Sequence, residues 1–124
     1  FVDLYLHLYE PPDDIMKRQD QILQKLKIPA AIGMRHAVPH FAHVFSGSGY
    51  ASGYYSYMWS EVMDADAFSA FTEVNDPFDS RIAKSLEKNI LAAGGSEDPE
   101  ILYVNFRGRL PDPNVLIEAR GLYT

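Results

Sequence analysis

Apolar positions recur in short amphipathic segments that proline, glycine and aspartate separate. From Phe1 to Tyr9 they alternate, with Val2, Leu4, Leu6 and Leu8 on one side and Asp3, Tyr5, His7 and Tyr9 on the other. A period of two predicts a short strand, with a helix broken off at its start as the alternative. Pro11-Pro12 forces a stop, and Asp13 is placed to cap a helix running to about Lys27, where Ile15, Ile22, Leu23 and Leu26 recur at near-helical spacing. Ser52 to Val74 is the longest helical candidate. Asp79 to Ala93 follows, with Ile82, Leu86 and Ile90 inward and Gly94-Gly95 as its stop. Asp98-Pro99 and Asp112-Pro113 each place a side-chain acceptor at an N-cap and a proline at the first helical position, where the missing N–H is no loss. Helices near Pro99–Phe106 and Pro113–Arg120 are expected. Without a repeat, a low-complexity tract or a linker, the expected architecture is mainly α, one helical unit over residues 1–124 with one short N-terminal strand.

Residues Pro29 to Gly53 differ in kind, with His36, His40 and His43 close together, Pro39 among them, and the stretch Ser46-Gly47-Ser48-Gly49. Three imidazoles at spacings of four and three would make one ligand face on a helix. Pro39 interrupts that run, however, and no carboxylate stands among the histidines. The His-Glu-x-x-His pattern, which joins two metal ligands to a general base, is absent from the chain. No metal site within the chain is therefore expected, and the histidines read as loop residues, one of them acting on substrate. Gly47, Gly49 and Gly53 would let the backbone take positive φ and approach a ligand closely. The loop is not a phosphate loop, since the Walker lysine and the dinucleotide-fold spacing are both missing.

A helix continued from Gly53 at about 100° per residue gathers Tyr55, Met58, Trp59 and Val62 on one side. Tyr57 falls on the other, among Gly53, Ser60, Glu61 and Asp64. A ring in a polar stripe is either an amphipathic surface tyrosine or a phenol aimed into a cleft, where a neutral O–H can hydrogen-bond a developing oxyanion. Tyr50, seven residues earlier, could face the same cleft. Asp66 falls on the apolar side. A buried carboxylate there needs a partner, with Arg107, Arg109 and Arg120 as candidates, and its role reads as structural.

Composition narrows the field. A hydrophobic content of 47% with 13% aromatics is enough for a packed core and argues against disorder. The net charge of -6, with Lys and Arg scattered, argues against nucleic acid and anionic membranes as partners. No run approaches the roughly 18 apolar residues of a membrane helix. The lack of cysteine excludes disulfides and thiolate zinc sites and fits a reducing, cytoplasmic setting. Phe1-Val2-Asp3-Leu4 carries no initiator Met, basic n-region or cleavage site, and reads as cut from something longer.

The segment Pro39-His40-Phe41-Ala42-His43-Val44-Phe45-Ser46-Gly47-Ser48-Gly49-Tyr50, continued by Ala51-Ser52-Gly53-Tyr54-Tyr55-Ser56-Tyr57-Met58-Trp59-Ser60-Glu61-Val62, is specific. It resembles the signature of the thimet oligopeptidase and peptidyl-dipeptidase family of zinc peptidases. Asp64-Ala65-Asp66-Ala67-Phe68, Gly94-Gly95-Ser96-Glu97-Asp98, Phe106-Arg107-Gly108-Arg109 and Arg120-Gly121-Leu122 agree as well, so the likeness spans nearly the whole chain. Met34-Arg35-His36 and the stretch from His40 to Gly47 look most like the peptidyl-dipeptidase branch, which releases C-terminal dipeptides.

The resemblance implies the helical C-terminal portion of a zincin-type oligopeptidase catalytic domain. Zinc and the general base would lie outside this chain, which would pack on the missing N-terminal part, bind short peptides, and be inactive alone. Tyr57 and Tyr50 would be catalytic, with Tyr57 donating to the oxyanion. His43 and Tyr50 would hold the substrate backbone or assist the oxyanion, and Gly47, Gly49 and Gly53 would let the loop close over peptide. The loop from His43 to Tyr50 is slightly longer than in thimet oligopeptidase. The rival reading is a non-enzymatic binding or assembly module, in which Tyr54, Tyr55, Tyr57 and Trp59 line an aromatic groove.

Overall fold

A computed structural model of the chain describes residues 1–122 and is helical, with no strand among them. It resolves into two compact units, Phe1–Tyr57 and the residues from Met58 onward.

The first unit holds α1 (Val2–Leu8), α2 (Ile15–Lys25), a 3-10 turn (Val38–His40) and α3 (Ala42–Phe45). The strand expected over Phe1–Tyr9 is therefore corrected to a helix. Its alternating residues also satisfy the helical i,i+4 rule: the Tyr5 and Tyr9 rings lie 5.7 Å apart, and His7 Nδ1 sits 2.9 Å from the Asp3 carboxylate. Leu4, Leu6 and Leu8 are good helix formers, Val2 alone in the alternating set is β-branched, and no described strand offers a ladder.

In α2 the cap is Asp14, one residue beyond the expected Asp13, and its carboxylate accepts the Lys17 N–H at 2.9 Å. Ile22 and Gln19 face inward, and Gln19 Oε1 accepts the Val38 N–H at 2.9 Å, which fixes the 3-10 turn on α2. The helix ends in a Schellman motif: Lys27 donates to the Gln24 carbonyl at 2.9 Å and Ile28 to that of Leu23 at 3.0 Å. Lys27 holds φ +56°, where a Cβ crowds the following carbonyl. Lys27→Gly is accordingly expected to raise stability by about 0.5–1 kcal/mol, read from the urea midpoint.

Helix α4 (Ser56–Glu73) starts four residues after the expected Ser52, because 50–55 are turns. The second unit continues with α5 (Ser80–Leu86), a π turn (Glu87–Leu91), α6 (Pro99–Arg107) and α7 (Pro113–Ala119). The single helix expected from Asp79 to Ala93 thus changes winding after Leu86. Asp79, Asp98 and Asp112 all cap as the Asp-containing motifs require, accepting from Arg81 and Ile82, from Glu100 and from Asn114 at 2.8–3.0 Å.

Val62, Ala70, Phe71 and Tyr103 are buried in this unit, together with Asp66. Tyr103 Oη and Arg107 Nε donate to Asp66 Oδ2 at 2.7 and 3.3 Å, and Arg109 Nη2 lies 2.7 Å from Oδ1 as an ion pair. Arg107 also reaches Glu73 at 2.6 Å. Of the three arginines considered for Asp66, Arg120 goes elsewhere and pairs with Glu61. Burial pushes the Asp66 carboxyl up, but its bonds from Tyr103, Arg109 and Arg107 outweigh that and hold it below the usual carboxylate range. Of the apolar set Tyr55, Met58, Trp59 and Val62, Val62 alone is buried.

Candidate functional site

Val38 opens the 3-10 turn with Pro39 second, and Phe41 closes it, its N–H donating to the Val38 carbonyl at 3.1 Å. The chain then enters α3, where Val44 turns into the core and anchors the helix, leaving His43 exposed beside it. After the Ser46–Gly49 stretch, the Gly53 N–H closes a turn on the Tyr50 carbonyl at 2.9 Å, and the Ser56 N–H closes the next on Gly53 at 3.0 Å. These two turns carry the backbone from Tyr50 to Tyr57.

The three polar residues singled out in the sequence meet here. Tyr57 Oη lies 3.0 Å from Tyr50 Oη and 3.3 Å from His43 Nε2. The two phenol rings stack nearly parallel, 5.8 Å apart, and the imidazole stands edge-on to Tyr50 at 4.4 Å and to Tyr57 at 5.8 Å. Tyr50 and Tyr57 remain 38% and 44% exposed, so neither hydroxyl is sealed in apolar packing.

Each phenol both donates and accepts, so three groups form a short hydrogen-bonded chain whose direction can reverse. With Tyr57 donating to Tyr50 and His43 Nε2–H donating to Tyr57, the Tyr50 hydrogen is free for a ligand. With Tyr50 donating, the Tyr57 hydrogen is free instead. The hydrogen bond to Tyr50, helped by partial desolvation, holds the Tyr57 phenol above its ordinary value, so a group already neutral at pH 7 stays a donor to higher pH.

Sequence reasoning missed the supporting roles of two residues. Tyr54 is half-buried, with its ring 4.8 Å from Phe41, 5.4 Å from His43 and 5.1 Å from Tyr57, so it forms the floor under the cluster. The aromatic run 54–59 contained that signal without showing which ring turned inward. Asp3 touches the loop from 49 and 51 residues away, accepting the N–H groups of Ser52 and Tyr54, and nothing local announces it.

The glycine expectation is corrected in one respect. None of Gly47, Gly49 and Gly53 adopts positive φ; the left-handed residue in the loop is Ser52, at φ +59°. Gly47 and Gly49 have open space where a Cβ would stand, so they widen the loop's approach without being required by its shape. Among the described residues no three His, Asp or Glu side chains gather as a metal-ligand set: His43 is engaged with the phenols and His36 stacks on Phe41 at 5.7 Å. No helix among them is long and apolar enough to cross a membrane.

Comparison with known proteins gives a match to the profile of Peptidase family M3 over residues 2–122. Oligopeptidase A of Escherichia coli K12 is 40% identical over 123 residues, covering 97% of this chain and 18% of its own length. Oligopeptidase A of Salmonella typhimurium LT2 is 47% identical over 85 residues, or 68% of this chain and 12% of its own. Dipeptidyl carboxypeptidase of E. coli K12 is 35% identical over 101 residues, or 82% and 15%. The chain therefore spans less than a fifth of the length of these relatives.

Proposed function

The chain belongs to peptidase family M3, and on that premise we propose that it forms a substrate-facing wall of a zinc peptidase acting on short peptides. The carrying observation is the convergence of the Tyr50 and Tyr57 hydroxyls and the His43 ring on one exposed face. Tyr57 donates its O–H to the oxyanion that develops at the scissile carbonyl. Tyr50 takes up the other end of the chain of hydrogen bonds, its O–H donating to Tyr57 as charge builds while its oxygen accepts an N–H of the substrate backbone. His43 orients the pair from the side. Donors fixed in place before the reaction stabilise developing charge without reorganisation, the largest effect available to groups of this kind. Gly47, Gly49 and Gly53 give the loop room to close over peptide.

The ligand set for zinc lies outside this chain, whose described residues do not fit one. When bound in the complete enzyme, zinc supplies Lewis-acid polarisation and an activated water. Exposed Phe1, Phe78 and Leu91, together with Met58 and Trp59, support packing of the chain on the rest of the same enzyme. The absence of cysteine supports a cytoplasmic setting. Family membership favours the peptidase over the binding-module reading. The isolated 124-residue chain is expected to retain no stoichiometric zinc on equilibrium dialysis and to leave peptides uncut. One tightly held zinc per chain would overturn that division of the site.

Two cleavage modes divide the family resemblance. The Met34-Arg35-His36 segment supports release of C-terminal dipeptides, whereas the higher identity to proteins called oligopeptidase A than to dipeptidyl carboxypeptidase supports internal cleavage of oligopeptides. Mass spectrometry of digests by the complete enzyme separates them. Internal cleavage treats C-terminally amidated peptides like free acids; dipeptide release loses rate on amidation.

A further inference from the structure

Asp3 is remote in sequence from every residue with a proposed chemical role, yet both oxygens of its carboxylate bind the loop that carries the tyrosines. Oδ1 accepts the Ser52 N–H at 3.0 Å and Oδ2 the Tyr54 N–H at 3.1 Å. Neither amide donates to a backbone carbonyl. The Asp3 side chain is 10% exposed, which favours a fixed geometry over a solvated contact. The two amides flank Gly53, the residue that closes the turn on Tyr50, and Ser52 between Tyr50 and Gly53 is held at φ +59°, a conformation that residues with a Cβ rarely keep unsupported.

One helical turn on, His7 Nδ1 lies 2.8 Å from the Asp3 carbonyl and 2.9 Å from Oδ1. The His7 ring stacks on Phe45, 5.7 Å away and within 9° of parallel, at the end of the helix that carries His43. A single helical turn, Asp3 to His7, therefore grips both segments that bring the imidazole and the phenols together.

We infer that Asp3 is a positioning residue for the Tyr50–Tyr57 pair, acting through the backbone of residues 52–54. The inference rests on the reading of Tyr57 as the oxyanion donor. A carboxylate suits the task because it offers two acceptors and no donor, so it locks two adjacent N–H groups without ambiguity. Asparagine at the same place turns an NH2 toward one of those N–H groups and frees that side of the turn. The consequence is a phenol displaced from the position where charge develops, and a displacement of 1 Å in such a group lowers turnover by up to about 100-fold.

The test uses the complete peptidase carrying this segment. Asp3→Asn is expected to lower kcat by about 10- to 100-fold with KM within about threefold, and in a Tyr57→Phe background to cost no more than about twofold further. Asp3→Glu, which keeps the carboxylate on a longer arm, is expected to retain more activity than Asn; should the Asn variant not fold, Glu read in both backgrounds gives the same comparison. Wild-type kcat in Asp3→Asn, or an equal fold-loss in both backgrounds, overturns the inference while leaving the tyrosine reading in place. An unchanged kcat in Tyr57→Phe alone sinks that reading and the inference with it.

Discussion

Tyr57→Phe in the complete peptidase is expected to lower kcat by about 100- to 1,000-fold while KM stays within about threefold, the signature of a donor that acts on the transition state and little on bound substrate. The substitution is clean because the ring stays. Stacking on Tyr50 and packing on Tyr54 involve the face of the ring, so the deleted atom is the hydroxyl that lies 3.0 Å from Tyr50 Oη and 3.3 Å from His43 Nε2. Since that hydroxyl is exposed, its loss leaves no buried group unpaired, and the melting temperature should hold within a few degrees. A pH series adds a sign. The phenol works as a donor only while protonated, and in the free protein its hydrogen bond to Tyr50 raises it above the ordinary tyrosine value, so the alkaline fall in kcat/KM from this group should be centred above that ordinary value of about 10. Tyr50→Phe removes the main cause of that elevation and should bring the fall to lower pH.

Local chemistry in this chain was legible in advance, and long-range chemistry only in part: Arg107 and Arg109 were expected partners of Asp66, whereas nothing tied Asp3 to residues 52–54. Asp79, Asp98 and Asp112 cap the helices that their sequences announce because the cap, the proline and the first N–H groups lie within four residues of one another. The Phe1–Tyr9 segment failed for a related reason. Alternation over so short a stretch also satisfies an i,i+4 pattern, and the deciding contacts of Asp3 lie in residues 52–54. At the candidate site, the seven-residue step from Tyr50 to Tyr57 suggested a shared face, but the step is bridged by two turns and not by one helix. The resemblance supplied the pairing, and the stacked rings supply its geometry. Ser52 shows the limit in the other direction: three nearby glycines drew the expectation of positive φ, which fell on a serine that Asp3 holds in place.

Asp66→Ala is expected to destabilise the protein by about 3 kcal/mol, the largest stability loss of any single substitution considered, because it strands cations instead of removing a contact. Asp66 is fully buried, and it faces Tyr103, Arg107 and Arg109 at once. The Arg107 side chain is only 6% exposed, so it cannot turn to water when its partner is lost; Arg109, at 42%, can, and this places the figure at the low end of the roughly 3–5 kcal/mol for breaking a buried pair. Glu73 still holds Arg107, but it is 57% exposed and screened, so Glu73→Gln should cost no more than about 1 kcal/mol. The pH dependence follows from the depressed carboxyl. Asp66 binds its proton less readily when folded than when unfolded, so its contribution is complete above the unfolded value near 3.9 and disappears as pH falls through the lower folded value. Urea midpoints measured from pH 7 downward should therefore hold until about pH 4 and then drop. Asp66→Asn keeps an acceptor for Tyr103 without the charge, so it should start lower and show a flatter acid limb. An acid limb of unchanged steepness in that variant would move the pH sensitivity to other carboxylates and leave Asp66 as a neutral packing residue.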